Sequence, residues 1–204
     1  MRMAKPELTL MAVHAHPDDE TMGTGGILAK YSAEGVRTVV VYGTQGEAGQ
    51  ILNPEFIHST PGLKIEEIRA RELAKALSLL RVNMVYFLGY RDSGMVGAPE
   101  NLDPRAFVQA DMDEAVGRLV KIVRTVRPHV IITYNEKGLY GHPDHVMAHR
   151  ITVRAFHEAA DPSLYSGDTL EPWLTSKLYY VAIPRSRLVK IAEFLRSVGE
   201  EPGF

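Results

Sequence analysis

The sequence predicts a single α/β domain, a doubly wound and mostly parallel sheet with helices on both faces. Three observations carry that prediction. Short apolar runs rich in β-branched residues recur along the chain, helix-length segments separate them, and long polar connections follow two of the runs. At 204 residues, 45% hydrophobic and 24% charged, the chain can bury a sheet in one compact core.

The elements follow in order. Strands are expected at Leu8 to Val13, Val36 to Tyr42, Met84 to Leu88, His129 to Tyr134 and Leu178 to Ile183, all apolar enough to be covered on both faces. Helices are expected at Thr24 to Glu34, Lys64 to Leu80, Asp111 to Val126, His145 to Ala160 and Ser186 to Ser197. In the second of these, Ile65, Ile68, Leu73, Leu77 and Leu80 fall near one face, while Glu66, Glu67, Arg69 and Lys75 fall largely elsewhere. The stretches Gly43 to Gly62 and Tyr90 to Asp103 are longer than ordinary connections and are expected to wall a pocket.

Composition removes several classes of function. A net charge of −2, from 23 basic and 25 acidic residues, gives no electrostatic footprint for a nucleic acid or an anionic membrane surface. The apolar run near the N-terminus is too short to span a membrane and lacks a signal-peptide pattern, so a cytoplasmic location and a small-molecule partner are expected. A homo-oligomer is left open. With no cysteine, disulfides, thiolate nucleophiles and cysteine-type zinc sites are excluded, and any metal must bind through nitrogen and oxygen.

Two motifs carry the chemistry. Ala15-His16-Pro17-Asp18-Asp19-Glu20 follows the first strand, and Tyr140-Gly141-His142-Pro143-Asp144-His145 follows the fourth. Ligands of open parallel sheets sit beyond the carboxyl ends of strands where crossovers diverge. In a strand order of 3-2-1-4-5, His16, Asp19 and His145 converge there. A catalytic zinc takes three such ligands and keeps one position open; iron(II) suits the same set. Asp18 is the candidate base, His142 the candidate acid with Asp144 holding its tautomer, and Tyr140 a donor to an oxyanion. Either motif alone could be a helix-start acidic cluster or a turn.

Other features are read more plainly. His149 lies four residues after His145 without the glutamate of the zinc-protease helix and is expected to be structural or to support a ligand. His14 and His129 are expected to pack, and His58 and His157 have no evident partner. Gly23-Thr24-Gly25-Gly26 opens a helix, but the third glycine of a dinucleotide loop would fall at Leu28, and the acidic residues upstream would repel a pyrophosphate.

These motifs, with the loop Thr44-Gln45-Gly46-Glu47-Ala48-Gly49, resemble the zinc-dependent LmbE-like, or PIG-L-type, N-acetylglucosaminyl deacetylases over most of the chain. The resemblance implies a Rossmann-like fold, one Zn2+ per chain at His16, Asp19 and His145, and hydrolysis of an N-acetyl group on an amino-sugar substrate. It implies Asp18 as base, His142 as the group that protonates the leaving amine or stabilises charge, Asp144 as its support, and Tyr140 near the oxyanion. Arg69 and Asp92 would contact substrate, with Arg71 competing for the first role. Tyr90-Arg91-Asp92-Ser93-Gly94-Met95 and the second histidine motif look especially like the mycothiol deacetylase and mycothiol S-conjugate amidase branch. Cleavage of a larger acyl group, and a metal-bearing protein without turnover, are the alternatives. Members of that branch continue past the position of Phe204, so residues 1–204 are expected to form one such domain lacking a C-terminal segment.

Overall fold

The two strands that lead into the histidine motifs stand side by side in the middle of the sheet. In the computed structural model, which describes residues 7–51, 62–165, 167 and 169–200, these are β1 (Thr9–His14) and β4 (Val130–Tyr134). With β2 (Arg37–Tyr42), β3 (Met84–Phe87) and β5 (Lys177–Val181) they form one parallel sheet in the order β3-β2-β1-β4-β5. This is the expected order. Every residue of β1 is buried, whereas the edge strands β3 and β5 are mostly exposed or half-buried.

The pleat sends successive side chains to opposite faces. Met11, Val13, Val39, Val41 and Ile131 meet one layer of helices, α3 (Met112–Val126) and α4 (Pro143–Glu158). Leu10, Ala12, Val40, Tyr42 and Ile132 meet the other, α1 (Gly25–Ala33) and α2 (Ile65–Leu80). Truncating a fully buried member such as Leu119 or Ile131 to alanine costs about 2–5 kcal/mol. A last helix, α5 (Arg185–Ser197), buries none of its residues. Among the described residues no helix is long and apolar enough to cross a membrane.

Boundaries match the sequence closely, with one informative exception. Helix α4 starts at Pro143 rather than at His145, because the His142 ring accepts the Asp144 backbone N–H and acts as the N-cap. The expected Asp111 start of α3 is a cap of the usual kind, its carboxylate accepting the Glu114 N–H at 2.9 Å. The register Leu10↔Val130 to Ala12↔Ile132 brings the ends of β1 and β4 together. From there α1 and α4 leave to opposite faces, which makes this the crevice of the sheet.

Candidate metal centre

Beyond β1 the chain enters a wide helical turn, Glu20–Thr24, whose start folds Asp19 back towards the strand end. Asp19 Oδ2 accepts the His16 backbone N–H at 2.9 Å and the Tyr134 hydroxyl at 2.7 Å. Tyr134 ends β4 and accepts the Ala15 N–H at 2.8 Å, so one buried phenol joins both strand ends. Asp19 lies between two imidazoles: Oδ2 is 3.4 Å from His16 Nδ1, and Oδ1 is 3.4 Å from His145 Nε2.

Each imidazole is held by its other nitrogen. His16 Nε2 lies 3.1 Å from Asp144 Oδ2, and His145 Nδ1 lies 3.2 Å from the Gly138 carbonyl. In the neutral rings, protons on those nitrogens would turn the lone pairs of His16 Nδ1 and His145 Nε2 towards Asp19. Gly138 has φ +62°, and an added Cβ would stand 2.7 Å from that of His145, so glycine alone fits this support. His145 Nε2 is fully buried and has no hydrogen-bond partner. Donors of a tetrahedral zinc site with bonds of about 2.0–2.1 Å stand roughly 3.3–3.4 Å apart. The orphaned nitrogen and the two 3.4 Å separations between Asp19 and its imidazoles fit a cation held beside Asp19. His142 belongs to the same cluster, its ligand atom within 4.8 Å of those of His16 and His145; His16, Asp92 and Asp144 form a second such set.

Without a cation the cluster is held by its own charges. Burial lowers the basicity of His16, but Asp144, Asp19 and Asp92 outweigh it and raise its pKa well above the usual histidine range. Burial disfavours the Asp19 anion, yet His145 and His16 hold its pKa well below the carboxylate range. Any metal taken up here must displace a proton.

Asp144 departs from its expected partner. Its carboxylate reaches His16, not His142, and is fixed by the Ser93 N–H at 2.9 Å and by a short bond from the Ser93 hydroxyl. Positions two apart at a helix start do not face each other, so only the Asp144 backbone N–H meets His142. Burial, and then the charge of His16, lower the His142 pKa to about 4, so near neutrality this ring carries its proton on Nε2. A neutral ring with that proton can donate a hydrogen bond to developing charge, one of the two roles expected of it.

Asp18 turns away from Asp19 with φ +112°. Its side chain is 65% exposed against 15% for Asp19, and Oδ2 lies 3.3 Å from Arg69 Nη1. Burial and the neighbouring Asp19 charge raise its pKa, as suits a base. Arg69, not the exposed Arg71, takes the position beside it and also donates to the Pro17 carbonyl at 2.9 Å. Gly46 and Gly49 form the sleeve around this guanidinium: a Cβ on either would fall 2.6 or 2.4 Å from it.

Tyr140 is 59% exposed, its ring edge against His145 and His142; burial and the Asp19 charge raise its pKa, keeping the hydroxyl a donor. Asp92 is buried, accepts the Ala48 and Gly94 N–H groups at 3.2 and 2.8 Å, and lies 3.4 Å from His16 Nε2. Burial opposes its charge, but His16 and the Gly94 N–H lower its pKa to about 2. Tyr134 and Ser93 are the members that sequence reasoning passed over. His149 Nδ1–H donates to the Tyr134 carbonyl, 2.8 Å away, in the expected supporting place. His14 packs edge-on to Tyr134 and pairs with Thr24 at 2.8 Å, while His129 accepts the Thr9 N–H and abuts Trp173. His157 packs edge-on to Phe156, and His58 lies outside the described residues.

Comparison with known proteins adds three kinds of similarity. The family model described as PIG-L, GlcNAc-PI de-N-acetylase, matches residues 11–156. The chain is 46% identical over 201 residues to the 1D-myo-inositol 2-acetamido-2-deoxy-alpha-D-glucopyranoside deacetylase 1 of Catenulispora acidiphila, covering 96% of this chain and 62% of that protein. It is 49% identical over 185 residues to the corresponding deacetylase of Thermobifida fusca, covering 88% and 63%. The chain thus spans less than two thirds of the length of either. Among solved structures, the N,N'-diacetylchitobiose deacetylase of Pyrococcus horikoshii shares the fold, with a TM-score of 0.67 at 22% identity over 93% of this chain and 76% of that one.

Proposed function

The chain belongs to the PIG-L family, and from that premise we propose that it is a zinc-dependent N-deacetylase that hydrolyses the acetamide of 1D-myo-inositol 2-acetamido-2-deoxy-α-D-glucopyranoside. The observation that carries the reading is the junction of β1 and β4, where two oriented imidazoles flank the Asp19 carboxylate and the buried His145 Nε2 has no hydrogen-bond partner. Two of its relatives carry that substrate in their names.

His16, Asp19 and His145 would hold the metal, whose chemistry here is Lewis acidity that acidifies water and polarises a carbonyl oxygen. The rest falls to the side chains. Asp18 takes a proton from the attacking water as its oxygen bonds to the acetamide carbon. Tyr140 and the Nε2–H of His142 donate to the oxygen that gains charge, each such donor being worth about 2.7–4 kcal/mol. When the carbon–nitrogen bond breaks, Asp18 returns the proton to the departing nitrogen, giving a free amine and acetate. Arg69 keeps Asp18 in place and balances its charge before the proton arrives.

The test is amine release from N-acetylglucosamine, N,N'-diacetylchitobiose, the acetylated glucosaminyl-inositol and a mycothiol conjugate, after chelation and after restoring zinc or iron(II). Zinc-restored turnover with preference for the glucosaminyl-inositol is expected. Preference for the conjugate would move the reading to an amidase of larger acyl groups. One bound metal with no turnover across the panel would overturn it in favour of a binding role.

A further inference from the structure

Asp18 holds φ at +112°, a region in which an L side chain is strained and glycine is the usual occupant. What keeps it there lies two residues on. The Asp18 N–H donates to Glu20 Oε2 at 2.9 Å, and the Asp18 carbonyl accepts the Thr21 and Met22 N–H groups at 3.0 and 3.2 Å. Glu20 is completely buried, and its other oxygen accepts the Thr21 hydroxyl at 2.7 Å. A buried carboxylate is costly unless it is well bonded, and this one meets neutral donors of its own turn, with the buried Tyr42 hydroxyl of β2 also beside it.

The turn separates two adjacent aspartates. Asp19 faces inward between His16 and His145, whereas Asp18 faces Arg69 and a cavity of about 240 Å³ lined in part by Met22 and Glu72. We infer that Glu20 is a positioning residue for the base: its buried carboxylate clamps the Asp18 peptide in the left-handed conformation that aims the Asp18 side chain at Arg69 and this cavity. The inference rests on the deacetylase reading for its kinetic consequence, but the clamp itself is a property of the fold.

The test pairs thermal midpoints with kinetics. Asp18→Gly and Asp18→Ala both lose the carboxylate, and they differ in their tolerance of positive φ. The Gly variant is expected to melt roughly 2–4 °C above the Ala variant. That gap should close in the Glu20→Ala background, where the peptide can relax. A gap of equal size in both backgrounds overturns the clamp. Glu20→Met, of similar volume without the acceptor, replaces Glu20→Ala if the smaller side chain does not fold.

In the chain with Asp18 intact, Glu20→Ala should lower kcat about 10²-fold with KM and metal content unchanged, and Glu20→Gln, which keeps an acceptor, should recover most of the loss. An unchanged kcat, a loss that tracks metal content, or no recovery in Glu20→Gln overturns the positioning role. If the unsubstituted chain turns over no N-acylated glucosamine, the deacetylase reading fails, and the thermal gap still decides the clamp.

Discussion

Tyr134 lies flat against His145, ring centroids 4.2 Å apart and 12° from parallel, while its hydroxyl donates to Asp19 at 2.7 Å. One side chain thus fixes two of the three groups that face the centre. Tyr134→Phe keeps the stacking and removes the hydroxyl, freeing Asp19 to rotate and leaving the Ala15 N–H without its acceptor. Loss of such an outer partner weakens metal binding about 10–100-fold. Competition with a coloured chelator measures this, and an unchanged affinity would show that Asp19 does not depend on the phenol.

Asp18 and His16 should fail in different ways. Asp18→Ala is expected to lower turnover about 10²–10⁴-fold while one metal stays bound, and His16→Ala to lose the metal itself. Metal analysis alongside kcat separates them. Retained turnover in Asp18→Ala would remove Asp18 as the base.

The sleeve around Arg69 predicts an effect at a residue with no chemistry of its own. A Cβ at Gly49 would stand 2.4 Å from Arg69 Nη2, so Gly49→Ala must push the guanidinium from Asp18. Displacement of about 1 Å at a reacting group can cost 10²-fold in rate. Gly26→Ala, whose Cβ meets nothing within 4 Å, is the control. Equal kcat values in the two variants would contradict the positioning of Asp18 by Arg69.

His14 sets an acid limit on stability. Burial lowers its pKa from 6.5 to about 4, against the opposing charges of Asp19 and Glu20. Between these values the unfolded chain binds a proton that the folded chain refuses, so stability is full above pH 6.5 and is lost as pH falls towards 4. The whole interval corresponds to about 3 kcal/mol. His14→Gln should flatten this limb in urea melts at a series of pH values; an unchanged slope would place the acid sensitivity elsewhere.

The sheet was legible because its strands are written as apolar runs of strand length and its helices as segments between them. The inner site was legible where chemistry is written in charged letters: His16, Asp18, Asp19 and His145. Tyr134 was not, because a tyrosine closing the run Val130 to Tyr134 reads as core, and only the β1–β4 register turns its hydroxyl to Asp19. Asp144 was assigned to the wrong imidazole because nearness in sequence stood in for direction. At the start of a helix its carboxylate points across to β1, where Ser93 from a distant loop completes its bonding. No local pattern announces such a meeting.

The pairing of β1 with β4 joins an early segment of the chain to a late one. An ion seated on His16, Asp19 and His145 would act as a rivet across the central seam of the sheet, holding a contact whose loop closure is entropically costly in the unfolded chain. Free metal concentration would then tune how long the molecule survives heat, adding about 2.7 kcal/mol at a hundredfold excess over Kd. In a metal-starved setting, loss of activity and loss of the protein itself would become one event.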